Sequence, residues 1–248
     1  MKRTRNVGRK RIVVICPGRG SYGKNDLGYL SRPLSAESKK TLQSGLTASD
    51  RRRHTSGKTP LLALDRSDKL TATHSSGENI SPLTFVCTAS DYLRIDTNIS
   101  QIIAVIGNSM GWYTALYCAG SLTLDEGILL TETMGGITGG TLIGGQILYP
   151  ITDDSWTINS DLVKTVDNAI AKAQANGYQV GNSIYYGGYR VIWGDDGGLR
   201  ALQNLLPAYE AGGRTYPLHL DGHSAFHSPL LAEYTTRGTE ALSNAINW

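Results

Sequence analysis

Two short apolar runs in the chain are each followed by glycine. Residues 12–15 are β-branched and end at Pro17-Gly18, which is typical of a buried parallel strand followed by a glycine-rich turn. Residues 101–106 form a second run that ends at Gly107, and residues 112–120 have a helical composition. The pattern predicts strand, tight turn and helix across residues 101–120.

Between these runs the chain is polar. Residues 31–76 are rich in Ser, Thr, Lys and Arg with little periodicity, so we expect long surface loops, at most short helices and weak order around residues 51–58. Ser81 followed by Pro82 resembles an N-cap with proline at the first helical position. A helix is predicted to begin there.

After Gly135 the pattern changes. A glycine-rich stretch leads into strands predicted at 146–151, 178–186 and 189–193, with helices at 160–176 and 199–206. The order β-α-β-β-α predicts a small α+β insertion. The chain then returns to the main body through the segment from Pro217 to Pro229.

Length and composition restrict the class of protein. With 248 residues, 40% hydrophobic and 18% charged, the chain fits a large globular α/β domain with an insertion. The apolar runs are too short for a membrane span or a signal peptide, so we expect a cytoplasmic protein without membrane contact. Three widely spaced cysteines argue against a disulfide framework or a zinc site and predict reduced thiols.

Charge is unevenly distributed. Residues 1–75 hold 17 Lys and Arg against 5 Asp and Glu, whereas residues 76–248 hold 7 against 16. The excess indicates either a basic surface for an acidic partner or a solvated arm at residues 2–11 with a flexible loop at 51–53. No aromatic residues alternate with these charges, so nucleic-acid binding is not expected.

The turn after the second strand carries a candidate nucleophile. Gly107-Asn108-Ser109-Met110-Gly111 matches G-x-S-x-G, in which two glycines allow a serine to occupy a strained strand-to-helix turn. Its hydroxyl is then exposed at the sheet edge, the next backbone N–H can bind an oxyanion, and the helix N-terminus adds partial positive charge. The pattern predicts covalent catalysis by Ser109.

A serine nucleophile needs a base, and five histidines are candidates. His54 and His74 lie in the polar region and are expected to be solvated. His219, His223 and His227 recur at every fourth residue, but prolines and Gly222 interrupt any helix there, so no metal site is expected. A loop histidine within reach of Ser109 is favoured, with a packing or capping role as the alternative.

Arg19 follows the first strand in Pro17-Gly-Arg-Gly-Ser21. The carboxyl ends of parallel strands meet at one edge, so Arg19 either lines the same pocket as the elbow serine or is an ordinary exposed loop arginine.

Four segments, in this order, resemble a known family: PGRGS, GNSMGWYTALYCAG, GGYRVIWGD and FHSPLL. The chain resembles the malonyl-CoA:acyl-carrier-protein transacylases and the acyltransferase domains of fatty-acid and polyketide synthases, whose motifs read PGQGSQ, GHSLGEYxALxxAG, QVVISG and FHSPLM. The resemblance implies an α/β fold: an α/β-hydrolase-like large subdomain with a parallel sheet (residues 1–141 and 205–248) and an inserted ferredoxin-like small subdomain (residues 142–204).

The resemblance also implies roles. Ser109 would be the nucleophile, His227 of FHSP the general base and acid, and the Met110 N–H one oxyanion donor; Arg19 stands where the family supplies the second donor from a glutamine backbone. An acyl group would pass from acyl-CoA to Ser109 and then to the phosphopantetheine thiol of an acyl carrier protein, with no cofactor of the protein's own. We expect a monomer, and the acidic carrier would suit the basic first third.

The chain departs from the family at the expected pocket. Met134 falls where malonyl-selective members carry the arginine that pairs with the malonyl carboxylate, and Asn108 and Trp112 replace a histidine and an acidic residue beside the serine. Apolar Met134 and Trp112 would suit an uncharged acyl group, unless Arg19 replaces the missing charge. Only 21 residues follow His227, so the C-terminal part of the large subdomain is expected to be truncated or degenerate.

Three hypotheses remain at this point. The first is a serine-dependent acyltransferase acting on carrier-protein thioesters. The second is an acyl-carrier-protein hydrolase, in which water resolves the same acyl-serine. The third is a carrier-protein docking module with an impaired active site.

Overall fold

The computed structural model describes residues 8–243, 245 and 246, and its contacts divide the chain into two compact units. The first unit comprises the chain up to Gly140 and again from Arg237 on, and the second comprises Thr141–Thr236. The predicted insertion, residues 142–204, lies within the second unit. Most of the basic arm expected at residues 2–11 lies outside the described residues.

A parallel pair of strands forms the sheet of the first unit. Strand β1 (Lys10–Cys16) runs beside β2 (Ser100–Gly107), with Cys16 opposite Gly107 at the carboxyl end. Both strands were predicted, but β1 is not buried on both faces: Val13 and Ile15 are 47% and 70% exposed, while Cys16 is fully buried. Within this unit, one face of the pair therefore packs inward and the other is open.

Helices supply most of the core of the first unit. Leu42, Leu64, Leu83 and Ile128, each from a different helix, belong to one buried cluster. The helices that begin in this unit are α1 (Ala36–Thr55), α2 (Leu61–Asp65), α3 (Ala72–Ser75), α4 (Gly77–Tyr92), α5 (Gly111–Cys118) and α6 (Leu124–Gly135).

The prediction of surface loops for residues 31–76 is wrong, because α1 alone has 20 residues. Ser35 caps it by accepting a hydrogen bond from the Ser38 N–H at 3.1 Å. The helix buries a cation as well as apolar side chains: Arg53 is fully buried and pairs with Glu132 of α6 at 3.2 Å. Because polar residues such as Arg53 occupy part of the buried face, the sequence of α1 lacks a clear apolar periodicity. The helix was not predicted for this reason.

The predicted start of α4 at Pro82 is also wrong. The helix begins at Gly77, and Pro82 lies inside it. Proline has no N–H to give the carbonyl four residues earlier, which is that of Glu78. The Arg53 Nη1 donates to this carbonyl at 3.2 Å, so the bond that proline cannot make is replaced from α1.

The second unit is built on an antiparallel sheet. Its four strands lie in the order β4-β5-β3-β8, where β3 is Gly145–Pro150, β4 is Val180–Tyr185, β5 is Tyr189–Gly194 and β8 is Leu218–His219. Helices α7 (Ser160–Ala175) and α8 (Asp196–Leu205) share a buried cluster with these strands. The predicted β-α-β-β-α order is confirmed, although Asn159, not Ser160, caps α7.

Short elements complete the second unit. Strands β6 (Tyr209–Ala211) and β7 (Arg214–Tyr216) form a hairpin before β8. Helix α9 (Ala232–Ser243) starts in this unit and ends in the first.

Two further expectations concern the whole chain. Cys16, Cys87 and Cys118 are free thiols, as predicted, and all three are buried. In the described part of the chain, no helix combines the length and the apolar character that crossing a membrane requires.

Candidate active site

Ser109 occupies a tight turn between β2 and α5. Its φ of 51° lies in the left-handed region, which non-glycine residues adopt at a cost. The Gly111 N–H donates to the Asn108 carbonyl at 2.8 Å, and the Trp112 N–H donates to the Ser109 carbonyl at 3.0 Å. The predicted strand, turn and helix are confirmed, with Ser109 two residues before the first residue of α5.

The two glycines of the motif are required by close packing. A Cβ on Gly107 would overlap the backbone of Gly111 and Trp112, and a Cβ on Gly111 would overlap the Cys16 carbonyl at the end of β1. Larger residues at either position would push the helix start away from the strands. Close backbone contacts around the two glycines therefore help to hold Ser109 in its strained conformation.

The loop after β1 lies against this turn. The Asn108 N–H donates to the Cys16 carbonyl at 3.2 Å, and the Asn108 side-chain amide lies 3.0 Å from where a Cβ on Gly18 would be. The structure thus brings the Pro17–Ser21 loop to the serine turn, as expected for two carboxyl ends of one parallel sheet.

Arg19 is half-buried, and its side chain points inward. Its Nη1 lies 2.9 Å from where a Cβ on Gly77 would be, at the start of α4, and a Cβ there would also overlap the Gly135 carbonyl at the end of α6. Burial lowers the pKa of the Arg19 guanidinium by desolvation. Of the two interpretations of Arg19, the structure excludes the exposed loop arginine.

The other predicted pocket residues have different environments. Met110 is buried at the N-terminus of α5, and Trp112 in the first turn of that helix is 55% exposed. Met134 is half-buried beside a cluster that contains Leu130 and Leu242, and its sulfur lies 2.8 Å from where a Cβ on Gly238 would be. Met134 therefore packs on α9, whereas Trp112 faces solvent.

His227 belongs to the second unit and also has a positive φ, 58°. The residue keeps much of its surface in solvent. The protein around its imidazole nevertheless removes water that would stabilise the charged form, and this desolvation lowers the pKa of His227 below its ordinary value of 6.5. The ring is consequently neutral at pH 7, the protonation state that a general base needs.

The remaining histidines divide into two groups. His54 is exposed as expected, but the prediction for His74 is wrong: it is buried, and its Nε2 lies 3.0 Å from the Leu64 carbonyl. His219 lies in β8, and His223 follows it in the loop that carries His227. Their spacing of four residues is therefore not that of one helix face.

Gln146 is a polar site residue that the sequence analysis missed. It lies in β3 and is 2% exposed, and its side-chain amide contacts the Phe226 carbonyl, Ser183 and His223. A lone glutamine at the start of an otherwise apolar strand was the available signal. Its partners are 37 to 80 residues away along the chain, so spacing alone did not reveal them.

The fold is that of the transacylases, as solved structures show. A malonyl-CoA:acyl-carrier-protein transacylase of Synechocystis sp. PCC 6803 is 21% identical with a TM-score of 0.66, the match covering 95% of this chain and 70% of that one. An acyl-carrier-protein S-malonyltransferase from Vibrio cholerae is 22% identical with a TM-score of 0.68, covering 95% and 71%. A malonyl-transacylase solved with a type II polyketide synthase acyl carrier protein is 18% identical, with a TM-score of 0.68 and coverage of 95% and 70%.

These similarities confirm the mixed α/β fold with a parallel sheet that the motifs indicated. No protein-family model matches the chain, and no curated protein matches it either.

Proposed function

We propose that this chain is a serine-dependent acyltransferase that moves an acyl group from CoA to the phosphopantetheine thiol of an acyl carrier protein. The observation that carries the proposal is Ser109 at a φ of 51° in a strand-turn-helix whose glycines admit no side chain. The transacylase fold supports it, as do the four motif segments in the family's order. Residues 142–204 are proposed as the ferredoxin-like insertion of an α/β-hydrolase-like large subdomain.

The proposed reaction has two steps. The Ser109 hydroxyl gives its proton to His227 and attacks the thioester carbonyl, and the oxyanion is held by the Met110 N–H at the start of α5. Collapse of the tetrahedral intermediate releases the CoA thiol, which takes the proton from His227. The carrier thiol then gives its proton to His227 and attacks acyl-Ser109, so the acyl thioester forms and the serine regains its proton.

Arg19 is proposed to select the acyl group. Met134, at the position of the family's arginine, packs on α9 and brings no charge. Arg19 places a guanidinium near the neighbouring residue, Gly135, from the loop that touches the serine turn. An inward cation favours an acyl group with a terminal carboxylate, of the malonyl type, because arginine binds carboxylates with two parallel hydrogen bonds.

Intact mass spectrometry separates this function from its alternatives. The protein is mixed with malonyl-, acetyl- or longer acyl-CoA, and protein mass, carrier mass and free acid are followed with and without a phosphopantetheinylated carrier. An adduct that passes to the carrier is the expected result. Free acid without transfer would replace transferase by hydrolase, and no adduct with any thioester would leave only a docking role.

A further inference from the structure

We infer that Gln146 is a positioning residue for His227: it fixes the peptide group that joins Phe226 to His227, the proposed base. The inference rests on the proposed function for its catalytic meaning, but its structural content can be measured without any activity. All of its parts lie in the second unit.

The side chain of Gln146 uses both ends of its amide. Nε2 donates to the Phe226 carbonyl at 3.1 Å and to the Ser183 hydroxyl at 2.6 Å. Ser183 Oγ itself donates to the Phe226 carbonyl at 2.8 Å, so one carbonyl oxygen receives two hydrogen bonds. Gln146 of β3 and Ser183 of β4 thus both donate hydrogen bonds to the same peptide group.

The other end of the amide orients His223. The Phe226 carbonyl can only accept, so the group facing it is the NH₂ of Gln146, and Oε1 faces the Nδ1 of His223 at 3.1 Å. That nitrogen must then carry a hydrogen. His223 donates a hydrogen bond to the amide oxygen of Gln146 and keeps the amide from rotating. It therefore acts on His227 only through Gln146 in this inference.

The gripped peptide controls the conformation of His227. The Phe226 carbonyl and the His227 nitrogen share one planar peptide group, and φ of His227 is the rotation between that plane and its own Cα. A φ of 58° is unfavourable for a histidine and persists only where surrounding contacts enforce it. The two donors on the Phe226 carbonyl supply that enforcement.

The rest of the loop is also fixed. The Ala225 N–H donates to the Ile143 carbonyl at 2.7 Å, and the Ser228 hydroxyl donates to the Ala225 carbonyl at 2.5 Å. These bonds hold the loop on either side of Phe226 and His227. Removing Gln146 should therefore release one peptide group and not the whole loop.

Gln146→Met tests the inference, since methionine has a similar volume but neither donor nor acceptor. We expect the rate of Ser109 acylation at saturating acyl-CoA to fall about tenfold or more, because a weakened hold on the base costs rate, while KM stays within about twofold. Gln174→Met is the control for the same substitution: Gln174 of α7 donates to the Val180 carbonyl at 2.9 Å in the same unit, and its replacement should leave the rate unchanged.

A second pair of variants keeps the test decisive if Gln146→Met does not fold. Ser183→Ala removes one of the two donors on the Phe226 carbonyl, so it should lower the rate severalfold. Ser183→Thr keeps the hydroxyl and should restore it. A role confined to packing would not produce this rescue.

An NMR measurement separates failure of the inference from failure of the proposed function. The φ-dependent three-bond coupling of the His227 amide should change in Gln146→Met and not in Gln174→Met, whether or not the protein takes an acyl group. A wild-type protein that is never acylated would overturn the proposed function alone. Wild-type coupling and a wild-type rate in a folded Gln146→Met protein would overturn the inference.

Discussion

Ser109 and His227, the two residues proposed to transfer protons and the acyl group, both have a positive φ. Each such conformation costs about 1–3 kcal/mol, which the surrounding structure must offset. At Ser109 the compensation comes from backbone packing around two glycines, and at His227 from hydrogen bonds to the preceding carbonyl. Strain at two positions of proposed chemistry agrees with the general tendency of active sites.

Replacing the two loop histidines separately tests the assignment of the base. His227→Ala should reduce the acylation rate of Ser109 by about 100-fold or more, since general-base catalysis contributes about 100- to 10,000-fold. His223→Ala should have a much milder effect, because His223 contacts Gln146 and is not the proposed base. Single-turnover mass spectrometry measures both rates, and a reversed order would mean that the alignment of the FHSP motif is wrong.

The pH dependence follows from the lowered pKa of His227. Desolvation lowers the pKa of His227 below 6.5, so the acid limb of kcat/KM should be centred at a pH below 6.5. The acid limb should disappear from the residual activity of His227→Ala. A limb centred above 6.5 would contradict the desolvated environment described for this ring.

Charge selectivity tests the inward orientation of Arg19. The wild-type protein should use malonyl-CoA in preference to acetyl-CoA. Arg19→Gln should lower kcat/KM for malonyl-CoA by about tenfold or more and leave kcat/KM for acetyl-CoA unchanged, so that the preference is lost. Arg11→Gln, which alters an exposed arginine of β1, serves as the control. A malonyl preference that survives Arg19→Gln would require a different cation.

Some secondary-structure elements are determined by their own sequence, and others depend on contacts with distant residues. The strands β1 and β2, the turn at Ser109 and the helix α7 follow from apolar periodicity, glycine spacing and capping residues, and all were predicted. Helix α1 and the true start of α4 depend on Arg53, which reaches carbonyl and carboxylate groups 25 to 79 residues away. No local sequence pattern indicates such distant partners. The proline in the middle of α4 wrongly indicates that the helix begins there.

The same arginine provides a stability prediction. Besides Glu132 and the Glu78 carbonyl, Arg53 donates to the Thr59 carbonyl at 2.9 Å. Arg53→Ala should lower the free energy of unfolding by about 3 kcal/mol or more, because the Thr59 and Glu78 carbonyls lose a charged donor, at about 1–3 kcal/mol for each group, and Glu132 keeps only Lys58 of its two cations. Urea denaturation measures the change.

Arg52 offers the matched control for that experiment. It pairs with Asp125 at 2.7 Å, but both side chains are about 40% exposed. Exposed pairs contribute about 0–1 kcal/mol, so Arg52→Ala should be nearly neutral. Equal losses in the two variants would contradict the buried role of Arg53.

At the scale of the whole molecule, the charge asymmetry of the sequence has a partly internal explanation. Arg53 and Lys58 pair with Glu132, and Lys58 also pairs with Glu78, so these basic residues join helices of the first unit. The flexible loop expected at residues 51–53 is therefore wrong. Lys39, Lys40 and Arg51 on α1 remain exposed and keep a basic surface available for the proposed acidic carrier.

The fold as a whole was predictable because four short motifs occur in a fixed order, not because any one of them is distinctive. The site was predictable only in part. Ser109 and Arg19 could be predicted because glycines flank them in the sequence. Gln146 could not, because its partners come from β4 and from the loop before His227, which are brought together only in the folded chain.

Covalent acylation of Ser109 tests the central claim most directly. The wild-type protein is incubated with acyl-CoA and digested, and the peptide that carries Ser109 is weighed beside the same peptide from Ser109→Ala, with Ser121→Ala as a control at an exposed serine. The account predicts the mass of one acyl group on the wild-type and Ser121→Ala peptides and none on Ser109→Ala, whose turn is maintained by Gly107 and Gly111. An acyl adduct of equal yield on the folded Ser109→Ala protein would contradict the account.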